Sequence, residues 1–103
     1  MHNKYAELVN YLKNGGLRIT KETKDCIILN SSSMVWTLDI VGDNLEIRMK
    51  GCMPMFGNVS HKWIYQHNYP QSKIILDIEN FLDWQLGQFS QTLENNTRDH
   101  IKF

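Results

Sequence analysis

The amino-acid sequence predicts an α+β fold: an N-terminal helix, an antiparallel β-sheet of about four to five strands, and a long C-terminal helix packed on the sheet. Three observations carry that expectation. Apolar residues recur three and four apart near the start, alternate with polar ones through the middle of the chain, and return to helical spacing from Asp77 onward.

Tyr5, Leu8, Val9 and Leu12 share one helical stripe, while Lys4, Glu7, Asn10 and Lys13 point away from it. Gly15 and Gly16 follow Asn14 and accept the left-handed backbone that ends a helix without a Cβ penalty. Leu17 to Thr20 then reads as a short strand, Lys21 to Lys24 as a charged turn, and Asp25 to Asn30 as a β-prone run.

Met34, Trp36, Leu38 and Ile40 alternate with Val35, Thr37, Asp39 and Val41, and beyond Gly42-Asp43 the alternation resumes with Leu45, Ile47 and Met49. A two-residue loop at Gly42 and Asp43 pairs Val41 with Asn44, hence Ile40 with Leu45, Leu38 with Ile47 and Trp36 with Met49. All the large apolar residues then fall on one face, and a slip of one residue would turn them to solvent. Lys50 to Asn58, with two glycines and a proline, reads as an apolar loop. Val59, His61, Trp63 and Tyr65 alternate again as a strand, and His67 to Gln71 turns the chain at Pro70. Lys73 to Leu76 is compatible with a strand or with the start of the helix. From Asp77, placed as the N-cap, Ile78, Phe81, Leu82, Gln85, Leu86, Phe89 and Leu93 form the second stripe.

The 103 residues suit one domain, spanning 1–103, with 42% hydrophobic and 21% charged residues, an ordinary globular balance. Eleven basic residues offset eleven acidic ones, so no net field draws the molecule to nucleic acid or anionic lipid. No apolar run reaches the ~20 residues of a spanning helix, and Met1 to Asn10 is too polar for a signal peptide, which points to a cytoplasmic protein. Cys26 and Cys52 are the only cysteines and read as two buried free thiols.

The chain carries no phosphate-binding glycine loop and no GxSxG nucleophile elbow. His61 and His67 with Lys62 supply the imidazoles and cation that a metal-independent ribonuclease needs, a base, an acid and a charge for the phosphate. On an extended strand, however, six steps separate the imidazoles by about 20 Å. Cys52, His61 and His67 lack the close spacing of a structural zinc site, so neither metal nor cofactor is expected. Asp39 and Glu46 should face each other across the hairpin, a like-charge pair that marks an acidic spot for a partner unless Arg48 screens it. Met53, Met55, Phe56, Trp63, Tyr65 and Tyr69 are more apolar surface than a connector needs, and such residues are enriched at protein interfaces. The expected function is a small cytoplasmic protein-binding inhibitor or regulator of toxin-immunity type. It would cover a surface of another protein, such as a toxin from an adjacent gene, through Asp39, Glu46 and those six residues. The alternative is an RNA-cleaving enzyme built on His61, Lys62 and His67.

Overall fold

The computed structural model describes residues 4–53 and 57–98, with side chains to residue 84 other than that of residue 53. The chain runs α1 (Ala6–Asn14), β1 (Arg18–Glu22), β2 (Cys26–Asn30), β3 (Met34–Val41), β4 (Asn44–Met53), β5 (Gly57–Gln66) and α2 (Gln71–Arg98). The strands form a single antiparallel sheet in the order β1-β2-β3-β4-β5, so each pairs with the next along the chain. Two helices and a five-stranded antiparallel sheet make the α+β architecture that the periodicities predict.

The β3–β4 hairpin adopts the register set by its turn, with Val41 opposite Asn44, Ile40 opposite Leu45, Leu38 opposite Ile47 and Trp36 opposite Met49. Gly42 has φ 62°, the positive value that primed hairpin turns require at their first position. Trp36, Leu38, Leu45, Ile47 and Met49 are consequently buried, and Ile40 is half-buried. Leu8, Val9 and Leu12 of α1, Ile27 and Leu29 of β2, and Ile74 and Ile78 of α2 join them in one core. Each fully buried aliphatic side chain stabilises the fold by about 1.5 to 3 kcal/mol. The opposite face of the sheet has no helix over it among the described residues and carries Asp39, Glu46, Arg48, Lys50 and Lys62.

Tyr5 stands at the N-cap of α1 without a side-chain cap bond, which leaves first-turn amides to be satisfied from elsewhere. Gln71 does so from the start of α2. Its Oε1 accepts from the Leu8 amide at 3.0 Å and its Nε2 donates to the Lys4 carbonyl at 2.9 Å, which joins the two helix starts. The buried Tyr5 donates its hydroxyl to the His67 carbonyl at 3.2 Å and so anchors the turn that leads into α2.

Four sequence-based expectations change. Lys50 to Met53, with Gly57 and Asn58, is strand rather than loop: β4 and β5 remain paired through Gly51 with Val59, Cys52 with Asn58 and Met53 with Gly57. Gly51 reads as a loop residue but is a close-approach site, because a Cβ there would collide with Met34 Sδ and the Ser33 carbonyl. Lys21 and Glu22 lie in β1, which bulges between Ile19 and Lys21, so the turn begins only at Thr23. Lys73 to Leu76 is helix. The Pro70 carbonyl opens it by accepting from the amides of Lys73 at 3.1 Å and Ile74 at 3.2 Å, so Asp77 lies inside α2 and is not its N-cap. Ile74 precedes Ile78 by four residues and belongs to the same stripe. Both cysteines are free, yet Cys52 is exposed and only Cys26 is half-buried, because both belong to the uncovered side of the sheet.

Candidate functional site

Among the described residues β5 has a neighbouring strand on one side only, and that position decides the exposure of its helix-side residues. Val59, His61, Trp63 and Tyr65 stand opposite Gly51, Met49, Ile47 and Leu45. The β4 residues Met49, Ile47 and Leu45 are buried, whereas Val59, Trp63 and Tyr65 are half-buried and His61 is exposed.

Aromatic rings extend this row outward from the core. The Trp63 ring stacks on the buried Trp36 with centroids 5.6 Å apart, and Phe81 of α2 meets Trp63 edge-on at 5.2 Å. The His61 imidazole lies parallel to Phe81 at 4.3 Å and edge-on to Trp63 at 4.5 Å. Trp84, one turn beyond Phe81 with centroids 6.2 Å apart, is 57% exposed. Toward the other end of β5, Tyr65 stacks on Tyr69 at 5.0 Å and donates its hydroxyl to Asp77 at 2.8 Å. Burial, the bond to Asp77 and the nearby charge together push the Tyr65 phenol well above the ordinary tyrosine value. The result is an aromatic ledge along the β5 edge, from Trp84 to Tyr69, built on the strand and the first turns of α2.

Trp63, Tyr65 and Tyr69 of the sequence-predicted interface lie on this ledge. The side chain of Met53, and all of Met55 and Phe56, fall outside the described residues. Asp39 and Glu46 do stand opposite each other, but on the opposite face of the sheet, where each has its own cation: Arg48 pairs with Asp39, and Lys62 with Glu46 at 3.3 Å. The like-charge conflict is thus relieved locally, and the two carboxylates are not part of the ledge. Beside them the Cys26 thiol is held above its ordinary value, first by burial and then by its hydrogen bond to Asp39.

The residues of the ribonuclease reading do not converge. His61 packs against Trp63 and Phe81 on the helix side, while Lys62 projects to the other face and bridges Glu46. His67 lies past the end of β5, where its Nδ1 is 3.2 Å from the Asp43 carbonyl oxygen. Among the described residues no group of three or more His, Cys, Asp or Glu side chains forms a possible metal site. An apolar cavity of about 530 Å³ between the end of α1, the β2–β3 turn and α2 is lined by Leu12, Leu17, Met34, Trp36 and Leu82, and neither His61 nor His67 borders it.

Sequence reasoning missed His61, Phe81 and Trp84 as parts of the interface. The signal was present for Trp84, a large aromatic residue three positions after Phe81 and off the apolar stripe, which is where a helix displays a side chain to solvent. No helix among the described residues is long and apolar enough to cross a membrane. Comparison of the chain with protein-family models, with curated proteins and with solved structures finds no match.

Proposed function

We propose that this chain is a small cytoplasmic protein-binding inhibitor or regulator, of toxin-immunity type, which acts by laying the aromatic ledge of β5 and α2 over a surface of a partner protein. The observation that carries this reading is the 57% exposure of Trp84 beside Phe81, whose ring in turn meets Trp63. Tryptophan and tyrosine dominate the energetics of protein interfaces because they bury a large area at little cost in side-chain entropy. Tyr69, stacked on Tyr65 and 38% exposed, adds apolar surface at the other end of the ledge. The binding mode needs no cofactor.

The reading is tested by purifying the chain from its native host together with the product of the neighbouring gene and measuring that partner's activity. Addition of the chain is expected to suppress it, and Trp84→Ala to weaken the complex roughly 30-fold or more, the effect of losing about 2 kcal/mol at a hot spot. Multiple-turnover RNA cleavage that disappears in His61→Ala and His67→Ala with the fold intact would instead establish the enzyme.

A further inference from the structure

Protection is unequal at the two edges of the sheet. β1 is five residues long, bulges between Ile19 and Lys21, carries Arg18, Lys21 and Glu22, and has Thr20 hydrogen-bonded inward to Asn30 Oδ1 at 2.6 Å. Those are the devices by which a sheet edge refuses further pairing. β5 has ten residues without a bulge or a proline, and Lys62 is its one lysine, arginine or carboxylate.

The alternation of the ladder fixes which backbone groups of β5 are unused. A two-residue turn makes Val41 and Asn44 a hydrogen-bonded pair, so the even-numbered residues of β4 bond toward β3 and the odd-numbered ones toward β5. Two bonds at the ends of the ladder agree: the Cys52 amide donates to the Ser33 carbonyl at 3.1 Å, and the His67 amide to the Asp43 carbonyl at 3.0 Å. Val59, His61, Trp63 and Tyr65 therefore bond to β4, and Asn58, Ser60, Lys62 and Ile64 direct their amides and carbonyls outward. Among the described residues no turn or loop bond reaches those four, while the carbonyl of Gln66 is occupied by the Tyr69 amide at 3.0 Å.

We infer that the partner completes this sheet, adding an extended segment as a sixth strand along β5, with apolar residues toward the aromatic ledge and a carboxylate opposite Lys62. The inference rests on the protein-binding reading and specifies its chemistry. On the helix side, alternate residues of the guest strand would meet Trp63, Phe81 and Trp84, which reward apolar side chains. On the other side the guest meets Ser60, Lys62 and Ile64, of which Ile64 is 54% exposed. Lys62 spends one contact on Glu46 and is half-exposed, so its ammonium keeps donors for a second carboxylate. The same residue disfavours a second copy of this chain. Antiparallel self-pairing of β5 sets Lys62 opposite Lys62 when centred on residue 62 and opposite Ser60 when centred on residue 61, and in neither register does it meet a carboxylate.

Two nine-residue peptides alternating threonine and valine, one with glutamate and one with lysine at the central threonine position, provide the probe, titrated into the intact protein at low salt and followed by amide NMR shifts. The glutamate peptide is expected to move the amides of Ser60, Lys62 and Ile64 saturably and to bind about fivefold tighter than the lysine peptide, and Lys62→Glu to reverse the preference. Ile64→Pro, which removes an outward amide and no ladder bond, should reduce binding at least tenfold. Should it fail to fold, the charge reversal carries the test. Equal binding of both peptides, shifts confined to other strands, or no binding overturns strand addition. Inhibition of the native partner that depends on Trp84 but is indifferent to Ile64→Pro and Lys62→Glu removes strand addition while keeping the ledge. Inhibition indifferent to Trp84 removes the ledge reading itself.

Discussion

Leu45, Ile47 and Met49 of β4 stand side by side with Tyr65, Trp63 and His61 of β5 on the same face of the same sheet, yet the first three are sealed and the second three are partly or fully open. Both strands carry the same two-residue periodicity, so local pattern does not distinguish them. Position does: among the described residues β4 has strands on both sides, whereas β5 has one neighbour and is overlapped by the first turns of α2. Periodicity thus assigns a side chain to a face, and the order of strands decides whether that face is dry.

The widest gap between the two regions is expected from one aliphatic residue of each on the shared face. Ile47→Ala should cost about 2 to 5 kcal/mol through lost burial and an unfilled cavity, and the half-buried Val59→Ala about 1 kcal/mol, both read by urea denaturation. Similar losses at the two positions would break the contrast. Next in size is Gly51→Ala, expected to destabilise by about 1 to 3 kcal/mol because Met34 and the Ser33 carbonyl must move. A neutral result would show that the β3–β4 contact is looser than described. Gln71→Ala, which strips the Leu8 amide of its acceptor, should cost about 1 to 2 kcal/mol, and thermal unfolding would register it.

The smallest effect concerns the ledge. Tyr65→Phe should cost about 1 kcal/mol at neutral pH, the worth of the bond to Asp77. It should also reduce the alkaline sensitivity of the fold. The phenol is held neutral by the folded state, above its unfolded value of about 10, so its contribution is complete below pH 9 or so and declines as pH rises through 10, where the unfolded chain ionises first. Burial raises Tyr5 and Tyr11 in the same direction, so the variant retains part of the decline. A denaturation midpoint constant from pH 8 to 11.5 in the native chain would contradict this linkage.

The most legible part of the chain was the β3–β4 hairpin, because turn length and alternation impose one register independently and a slip exposes every apolar side chain. The first helix was legible for a similar reason: its four-residue stripe ends at two glycines, and Gly16 takes the positive φ of 98°. Less legible was the second half of β4, where Gly51 supplies no side chain to the alternation although its absence is what lets Met34 approach. Asp77 looked like a cap because capping residues and interior acceptors share the same chemistry, and only the fold shows its carboxylate turned to Tyr65. Of the interface, Trp63, Tyr65 and Tyr69 were legible as excess aromatic surface, but Asp39 and Glu46 were separated from them by the thickness of the sheet. Their apparent conflict disappeared when Lys62, distant in sequence, arrived beside Glu46 from the next strand.

Amide hydrogen exchange along β5 tests the central claim most directly. In the isolated protein the amides of Val59, His61, Trp63 and Tyr65 should be protected and those of Ser60, Lys62 and Ile64 should exchange rapidly, and bound partner should slow the second set to the level of the first. Equal protection of both sets in the isolated protein, or a second set that stays fast in the complex, would contradict an open edge that a partner closes.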